Sequence, residues 1–566
     1  MAIAVSLLIV ALGVAMLFKP YASLAALVVV VAAGAVLLGI GDLLDFRNNP
    51  SDRRELMTGL LWIALAVAAL VFSGDTIRIL AALAGFGLIA SGLLRIRSGW
   101  RELADQRYTA ILLGTASVVL GLLALGWPDL TILAMSIFFG LWLIVSGLVR
   151  LWRLFRTEPS HHTESVSGWH RWSRLAVAAG ALVIALALLA ASAFLRGGEP
   201  TVDAFYDAPD NVPGDPGVLV RQESFTKDIP DGAVAWRILY TTTTVDGEPA
   251  VASAIVVASE NLPEGPRPVI AWAHGTTGFA ERCAPSVLDD PFTSGAMPDL
   301  GPLIENGWVL VATDYIGLGT KGPHPYLIVE GEGRSVLDAI RAVHQVEEIE
   351  TADTTVVWGH SQGGQAALST ALIQPDYAPE IELSGVAAMA PASNLTGMVD
   401  NLNNLPDHGA ILGSFVIAAY SEIYDDVSFD AYVRPGARTL MRELASRCLA
   451  EPEMFVSVVE TLLLGQSPWS EHPNDGPLGE RLQENVPAGS FTAPILLAQG
   501  LADTLVIPAA QGAFNEQLCE LGNQVDYRTY DGYDHVGVVS GDSPLLTDLI
   551  TWTQERIDGL PPESTC

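Results

Sequence analysis

The segment VVWGHSQGGQAAL, residues 356–368, sets Ser361 between glycines at i−2 and i+2. An apolar run, TTVVW, leads into Gly359-His360-Ser361-Gln362-Gly363-Gly364, and the helix-forming text QAALSTALI follows at once. A serine on so sharp a strand-to-helix turn has its hydroxyl exposed at the carboxyl end of a sheet and the amino end of a helix. Side chains at Gly359 or Gly363 would collide with neighbouring backbone, so the glycines are part of the pattern, with His360 between them. The chemistry is nucleophilic attack on an acyl group, and a hydroxyl attacks only when a base takes its proton. Of ten histidines, His535 in DGYDHVGVV is the best base, because it follows the last strand-like run and precedes the last helical one. Asp503 in ILLAQGLADTLVIP fits the third position, an acid after a strand; Asp531 is second choice, and Asp534 adjoins His535 too closely. Two backbone N–H groups must bind the oxyanion. Gln362, next to the nucleophile, supplies one, and Thr276 or Thr277 in His274-Gly275-Thr276-Thr277-Gly278 the other.

These residues need a rigid frame, and residues 199–566 read as one. RPVIAWAHG, GWVLVATDY, TTVVWGHS, LSGVAAMAP, TAPILLAQG and NQVDYRTYDG read as strands alternating with helices RSVLDAIRAVHQV, QAALSTALI, AAQGAFNEQLCEL and PLLTDLITWTQERI. Two further strand-like runs, AWRILYTTTTV and PAVASAIVVAS, precede them. Such alternation predicts a parallel sheet covered on both faces. About a hundred proline-containing, helix-rich residues interrupt it, and they are expected to form a cap at about 395–490.

Length and charge divide the chain. At 566 residues two or three units are expected. Of the 30 basic and 63 acidic residues, 15 and 10 fall in 1–198, leaving 15 and 53 in 199–566. So acidic a carboxyl half repels nucleic acid and anionic headgroups. Apolar runs at roughly 2–18, 24–44, 57–73, 78–94, 109–126, 130–149 and 175–195 are long enough to cross a bilayer. Arginines crowd the connections after the second, fourth and sixth runs, whereas KPYAS, SGDTIR and GWPD are nearly bare. The positive-inside rule then puts the amino terminus in the cytoplasm and everything after Arg196 outside. Residues 1–156 form a six-span module of three helical hairpins, 157–174 a cytoplasmic linker and 175–196 the seventh span. Glycine pairs seven apart (Gly34 and Gly41, Gly85 and Gly92, Gly140 and Gly147) recur in the second helix of each hairpin, on a face that lets a neighbour approach. His161, His162 and His170 could hold a metal, but a solvated linker is the plainer reading. The four cysteines, all in the acidic half, suggest two disulfides on an oxidising side, with four buried thiols as the alternative.

The first 156 residues resemble the HdeD-like six-span acid-resistance membrane proteins in repeat pattern. The boxes HGTTG, CAPS (283–286), DYIGLGTKGPHPY (314–326), GRSVLDAIRA, GHSQGG, GLADTLVIP and DHVG together resemble the secretory lipase family, which includes the fungal lipase A-type enzymes. That resemblance covers about 205–566. It implies an α/β-hydrolase domain with a helical cap, ester substrates, and the triad Ser361, Asp503, His535 with Thr276 and Gln362 at the oxyanion. It also implies the pairings Cys283–Cys448 and Cys519–Cys566. The seven-span anchor departs from a mostly secreted family. The expected protein is therefore a multi-pass cell-membrane ester hydrolase with an extracytoplasmic catalytic domain, acting on lipid or small acyl esters without metal or cofactor. An acyltransferase using the same triad, and a membrane stress or scaffold protein with an auxiliary hydrolase, remain open, as does the oligomeric state.

Overall fold

The computed structural model describes residues 2–18, scattered positions between 28 and 43, 53–71, 73–101, 104–155, 168–196, 198, 200–261, 265–402 and 408–566. Most of the second apolar run, most of the linker with His161 and His162, and Gly34 and Gly41 lie outside the described residues. Two compact units emerge: Met1–Gly198 with Val433–Glu443 and Phe455–Ser470, and the remainder from Glu199 onward.

The first unit contains long helices at Ala2–Phe18, Arg53–Val71, Ser73–Gly99, Ala104–Gly126, Pro128–Phe155 and Gly168–Arg196. Four described segments, 78–99, 106–126, 128–149 and 172–196, are long and apolar enough to cross a membrane; Ala2–Phe18 is a 17-residue apolar helix, and 56–68 is shorter still. The last helix begins at Gly168, seven residues before its apolar run, because GWHRWSR continues the same helical turn. The recurring glycines sit where helices touch. A Cβ on Gly92 would lie 2.5 Å from the Gly114 carbonyl oxygen, one on Gly85 2.9 Å from Leu125, and one on Gly140 3.0 Å from the Gly13 carbonyl oxygen. Gly39 stands in the same relation to Gly59, at 2.8 Å. Ser73–Gly99 thus packs closely on Ala104–Gly126, and Pro128–Phe155 on Ala2–Phe18. Small residues permit this approach, and dispersion between the two closely packed backbones rewards it.

The second unit is built on a nine-stranded sheet: β1 Leu219–Phe225, β2 Ala233–Thr243, β3 Pro249–Ser259, β4 Arg267–Ala273, β5 Val309–Thr313, β6 Thr351–His360, β7 Leu383–Met389, β8 Ile495–Gly500 and β9 Val525–Tyr530. Their order is β1-β2-β3-β5-β4-β6-β7-β8-β9. The six strands that alternate with helices are parallel, as expected, and an antiparallel start precedes them. β1, β2 and β3 form an antiparallel meander, β3 also meets β5 antiparallel, and β4 through β9 run parallel. A short turn at Val245–Glu248 joins β2 to β3, and a connection that short can only reverse the chain.

Strands β5 and β8 are buried along their whole length, as expected of strands covered on both sides. Along β4, Val269, Ala271 and Ala273 join one core with helices Val329–Val343, Gln362–Tyr377 and Pro508–Glu520. Ile270 and Trp272 point the other way, into a core with Leu303, Leu549 and Trp552. Between β7 and β8 lie six described helices, from Leu395–Leu402 to Gly476–Glu484, where the cap is expected.

Disulfides join Cys283 to Cys448 and Cys519 to Cys566, with Cα atoms 5.2 and 5.3 Å apart. The second ties helix Pro508–Glu520 to the chain beyond Pro544–Ile557, where Thr565 N–H also donates to the Val525 carbonyl. Cys519→Ser with Cys566→Ser is expected to lower the melting midpoint by an amount equivalent to about 2–4 kcal/mol. Ester hydrolysis well below the midpoint should be retained; differential scanning calorimetry beside a rate assay checks both.

Candidate active site

Strand β6 runs into helix Gln362–Tyr377 with only Ser361 between them. Ser361 has φ 58° and ψ −117°, a conformation that L-residues avoid and that marks a constrained functional turn. Its neighbours hold it there. Ser361 N–H donates to the Met389 carbonyl of β7 at 2.9 Å, and its own carbonyl accepts from Gln365 and Ala392 N–H, each at 3.1 Å. A Cβ on Gly359 would overlap the Gly363 carbonyl, and one on Gly363 the Ala273 carbonyl at the end of β4. Both glycines are required by close approach, as their spacing predicts.

The three residues from distant parts of the chain meet. Ser361 Oγ lies 2.8 Å from His535 Nε2, and His535 Nδ1 lies 2.8 Å from Asp503 Oδ2. A carboxylate can only accept, so Nδ1 carries the proton and Nε2 is left to accept from the serine hydroxyl. Asp503 is itself fixed: Oδ1 accepts from Leu505 and Val506 N–H at 2.8 and 2.9 Å, and Oδ2 from Gln499 Nε2 at 3.0 Å. Burial raises its pKa, but the His535 bond, that ring's charge and the two backbone donors outweigh it, and the net direction is down. It stays an anion, able to orient the imidazole and to stabilise its cation. Asp534 instead accepts from Gly537 N–H, capping the turn after His535. Asp531 is exposed.

No other described histidine bonds to Ser361. His274 is buried with its ring nitrogens on the Gly275 and Asp314 carbonyls, His344 meets the Thr351 hydroxyl, and His472 lies 3.6 Å from Asp400. The side chains of His170 and His408 lie outside the described residues. His360 has a supporting place: its Nε2 is 2.8 Å from the His535 carbonyl, and the two rings stand 4.9 Å apart. Burial, then the neighbouring His535, push its pKa down to about 3. His360 is therefore neutral and donates from Nε2, pinning the backbone of the base without a competing charge.

The proposed oxyanion residues lie on two elements beside the serine. Gln362 opens its helix, among the first-turn N–H groups that a helix cannot satisfy internally. Thr276 Oγ1 is 2.9 Å from the Tyr326 hydroxyl, while Thr277 is buried and its carbonyl accepts from Leu449 N–H at 2.8 Å. Leu449 follows Cys448, and a Cβ on Gly278 (φ 147°) would strike the sulfur of Cys283. The Cys283–Cys448 bridge thus sits directly under this loop, and an ion pair between Arg282 and Glu453 lies beside it. Sequence reasoning missed Gln499 and the role of His360. The signal for Gln499 is a lone polar residue in the otherwise apolar β8, ILLAQG.

Helices on both faces of the sheet, a serine at the sharp turn after β6, an acid after β8 and a histidine after β9 define an α/β-hydrolase fold. A family model described as secretory lipase matches residues 293–565, and one described as a short repeat of unknown function matches 4–56, 57–116 and 112–192. The chain is 22% identical over 391 residues to Lipase A of Arthroderma benhamiae, covering 65% of this chain and 81% of that protein. It is 24% identical over 390 residues to a Mycobacterium tuberculosis protein named probable inactive lipase, covering 64% and 83%. The X-ray structure of Candida antarctica lipase A in its closed state superposes with a TM-score of 0.53 at 18% identity, over 65% of this chain and 88% of that one. Both resemblances read from the sequence hold, and the carboxyl half is a hydrolase of the lipase and esterase type.

Gly363→Ala is expected to abolish the folded domain, since the added carbon has backbone on the far side. Gly512→Ala, in a helix with open space around it, should change stability by no more than about 1 kcal/mol. Protease resistance of the two variants distinguishes these outcomes.

Proposed function

We propose that the protein is a membrane-anchored serine carboxylic ester hydrolase acting on lipid or other acyl esters outside the cytoplasm. The reading rests on one observation, the unbroken chain of 2.8 Å contacts from Ser361 through His535 to Asp503. Similarity alone would not carry it, because one relative bears the name of an inactive lipase.

Ser361 Oγ attacks the ester carbonyl carbon while His535 Nε2 takes its proton. The carbonyl oxygen becomes an oxyanion facing the Gln362 N–H and that of Thr276 or Thr277. Collapse breaks the bond to the alkoxy oxygen, which leaves with the proton from His535. Water, deprotonated by His535, then attacks the acyl-serine, releases the acid and returns the proton to Oγ. Asp503 stays ionised and steadies the imidazolium formed in each half-reaction.

Three features support anchorage and an outward domain. Basic residues crowd alternate connections between apolar helices. The cysteines of the acidic half are paired. Arg196, at the end of the last apolar helix, stacks 4.2 Å over Trp127 and reaches the Gly126 carbonyl, and Trp127 Nε1 donates to Ser192 at 2.9 Å. That puts the end of the last helix beside GWPD, a connection without lysine or arginine, on the side that the positive-inside rule makes external.

A membrane-impermeant fluorophosphonate is expected to label intact cells at Ser361, with none in Ser361→Ala; labelling only after lysis would reverse the topology, and no labelling would remove the nucleophile. Asp503→Asn is expected to lower kcat by about four orders of magnitude, because the amide presents the wrong tautomer to the histidine. KM should change little, and steady-state kinetics on a short p-nitrophenyl ester tests this.

A further inference from the structure

Behind the nucleophile lies a buried polar cluster that the mechanism above leaves without a part. Glu332, in helix Val329–Val343, is fully buried. Its Oε1 accepts from Gln362 Nε2 at 2.6 Å and from Leu327 N–H at 3.1 Å. The same Gln362 nitrogen lies 3.0 Å from His324 Nε2. His324 Nδ1 faces the Ile316 carbonyl at 3.3 Å, which makes Nδ1 the donor and leaves Nε2 to accept. Both N–H bonds of the Gln362 amide are therefore engaged, one on a carboxyl and one on an imidazole. Glu332 Oε2 and Gln362 Oε1 are buried with no partner.

The cluster joins both candidate oxyanion elements. Gln362 follows the nucleophile directly. His324 and Glu332 flank Tyr326, whose ring centroid is 6.0 Å from that of His324 and whose hydroxyl meets Thr276 of the opposing loop. The titratable groups facing the carboxyl are Tyr315, His324 and Tyr326 from the preceding loop and Tyr420 from the cap helix His408–Ile423. Neither lysine nor arginine is among the groups that bond to or shift it. Arg334, two residues on, is turned to Glu330 and the Thr244 carbonyl.

We propose that Glu332 is a positioning residue: its uncharged carboxyl, with His324, draws the Gln362 side chain inward and so aims the Gln362 backbone N–H at the oxyanion. The proposal rests on the esterase reading given above. Its physical logic is a matter of charge. A neutral carboxyl accepts from Gln362 without setting a negative charge behind the donor that must bind another. Ionisation would set one there, in a low-dielectric site with no cation to offset it. Burial pushes the Glu332 carboxyl up to about 8, only partly offset by the donors from Gln362 and Leu327. The neutral form is accordingly the working one at neutral pH. Burial, then His274, push His324 down to about 3, so it stays uncharged throughout and leaves Glu332 to titrate.

The test uses the full chain in detergent, a short p-nitrophenyl ester, and fluorophosphonate titration to count working sites. Wild type is expected to lose kcat reversibly as pH rises through about 8, whereas Glu332→Gln, which cannot ionise, should show no such limb. Glu332→Leu, which cannot accept from Gln362, should lower kcat per titrated site by about tenfold or more with KM within about twofold, the mark of a donor lost only in the transition state. A merely structural residue would alter stability and site count but not the pH profile. An alkaline limb that persists in Glu332→Gln, or is absent from wild type, overturns the proposal; so does wild-type kcat in folded Glu332→Leu. If Glu332→Leu does not fold, the profile of Glu332→Gln decides. A wild type that takes no probe overturns the esterase reading and this one with it.

Discussion

The architecture of the carboxyl half depends on a joint with no spare volume. Where β6 meets its helix, Gly359 faces the Gly363 carbonyl and Gly363 faces the Ala273 carbonyl, each without room for one more carbon. That crowding forces Ser361 to a φ of 58° and keeps its side chain out of both elements. The strain is tolerated because the surroundings over-determine it: Met389, Gln365 and Ala392 all bond to the serine backbone. The atoms that limit the joint are also those that start the next parts of the site. Ala273 ends the strand that leads into the Thr276–Thr277 loop, and Met389 ends the strand that leads to the cap. The serine turn, the threonine loop and the cap thus share one set of backbone contacts.

Around this joint the site is assembled from single-purpose supports. Gln499 and two backbone donors hold Asp503, His360 holds the carbonyl of His535, and the Cys283–Cys448 bridge lies under the threonine loop. Each support lies on a different element from the residue it fixes, or several residues along the chain from it. Burial keeps His360 neutral beside His535, and it likewise keeps Glu332 neutral beside Gln362.

Much of this was legible in the sequence, for physical reasons that differ by residue. GHSQGG is informative because each glycine answers a steric demand. Asp503 and His535 could be placed because strand and helix text on either side fixes where the loops must emerge. The final helix, PLLTDLITWTQERI, matches Pro544–Ile557 because a serine cap and a first-turn proline mark its start. Other features left no readable signal. β1, LVRQESF, is a mostly polar edge strand without a buried period. The antiparallel start of the sheet is a matter of pairing, which apolar runs do not encode. The helix bearing Glu332 begins in VEGEG, poor helical text with two glycines, so a carboxyl at its foot reads as surface charge. In the amino-terminal half the repeated glycines indicated close packing, but which helices would pair could not be read from one helix face.

That pairing has a consequence for biosynthesis. Ala2–Phe18 packs not on its neighbour in sequence but on Pro128–Phe155, through Gly13 and Gly140, and Ser6 and Gly147. The partner of Ala2–Phe18 is therefore translated only after the helices that lie between the two in sequence. This pair cannot form in the order of translation, because Arg53–Val71, Ser73–Gly99 and Ala104–Gly126 are made between its two members.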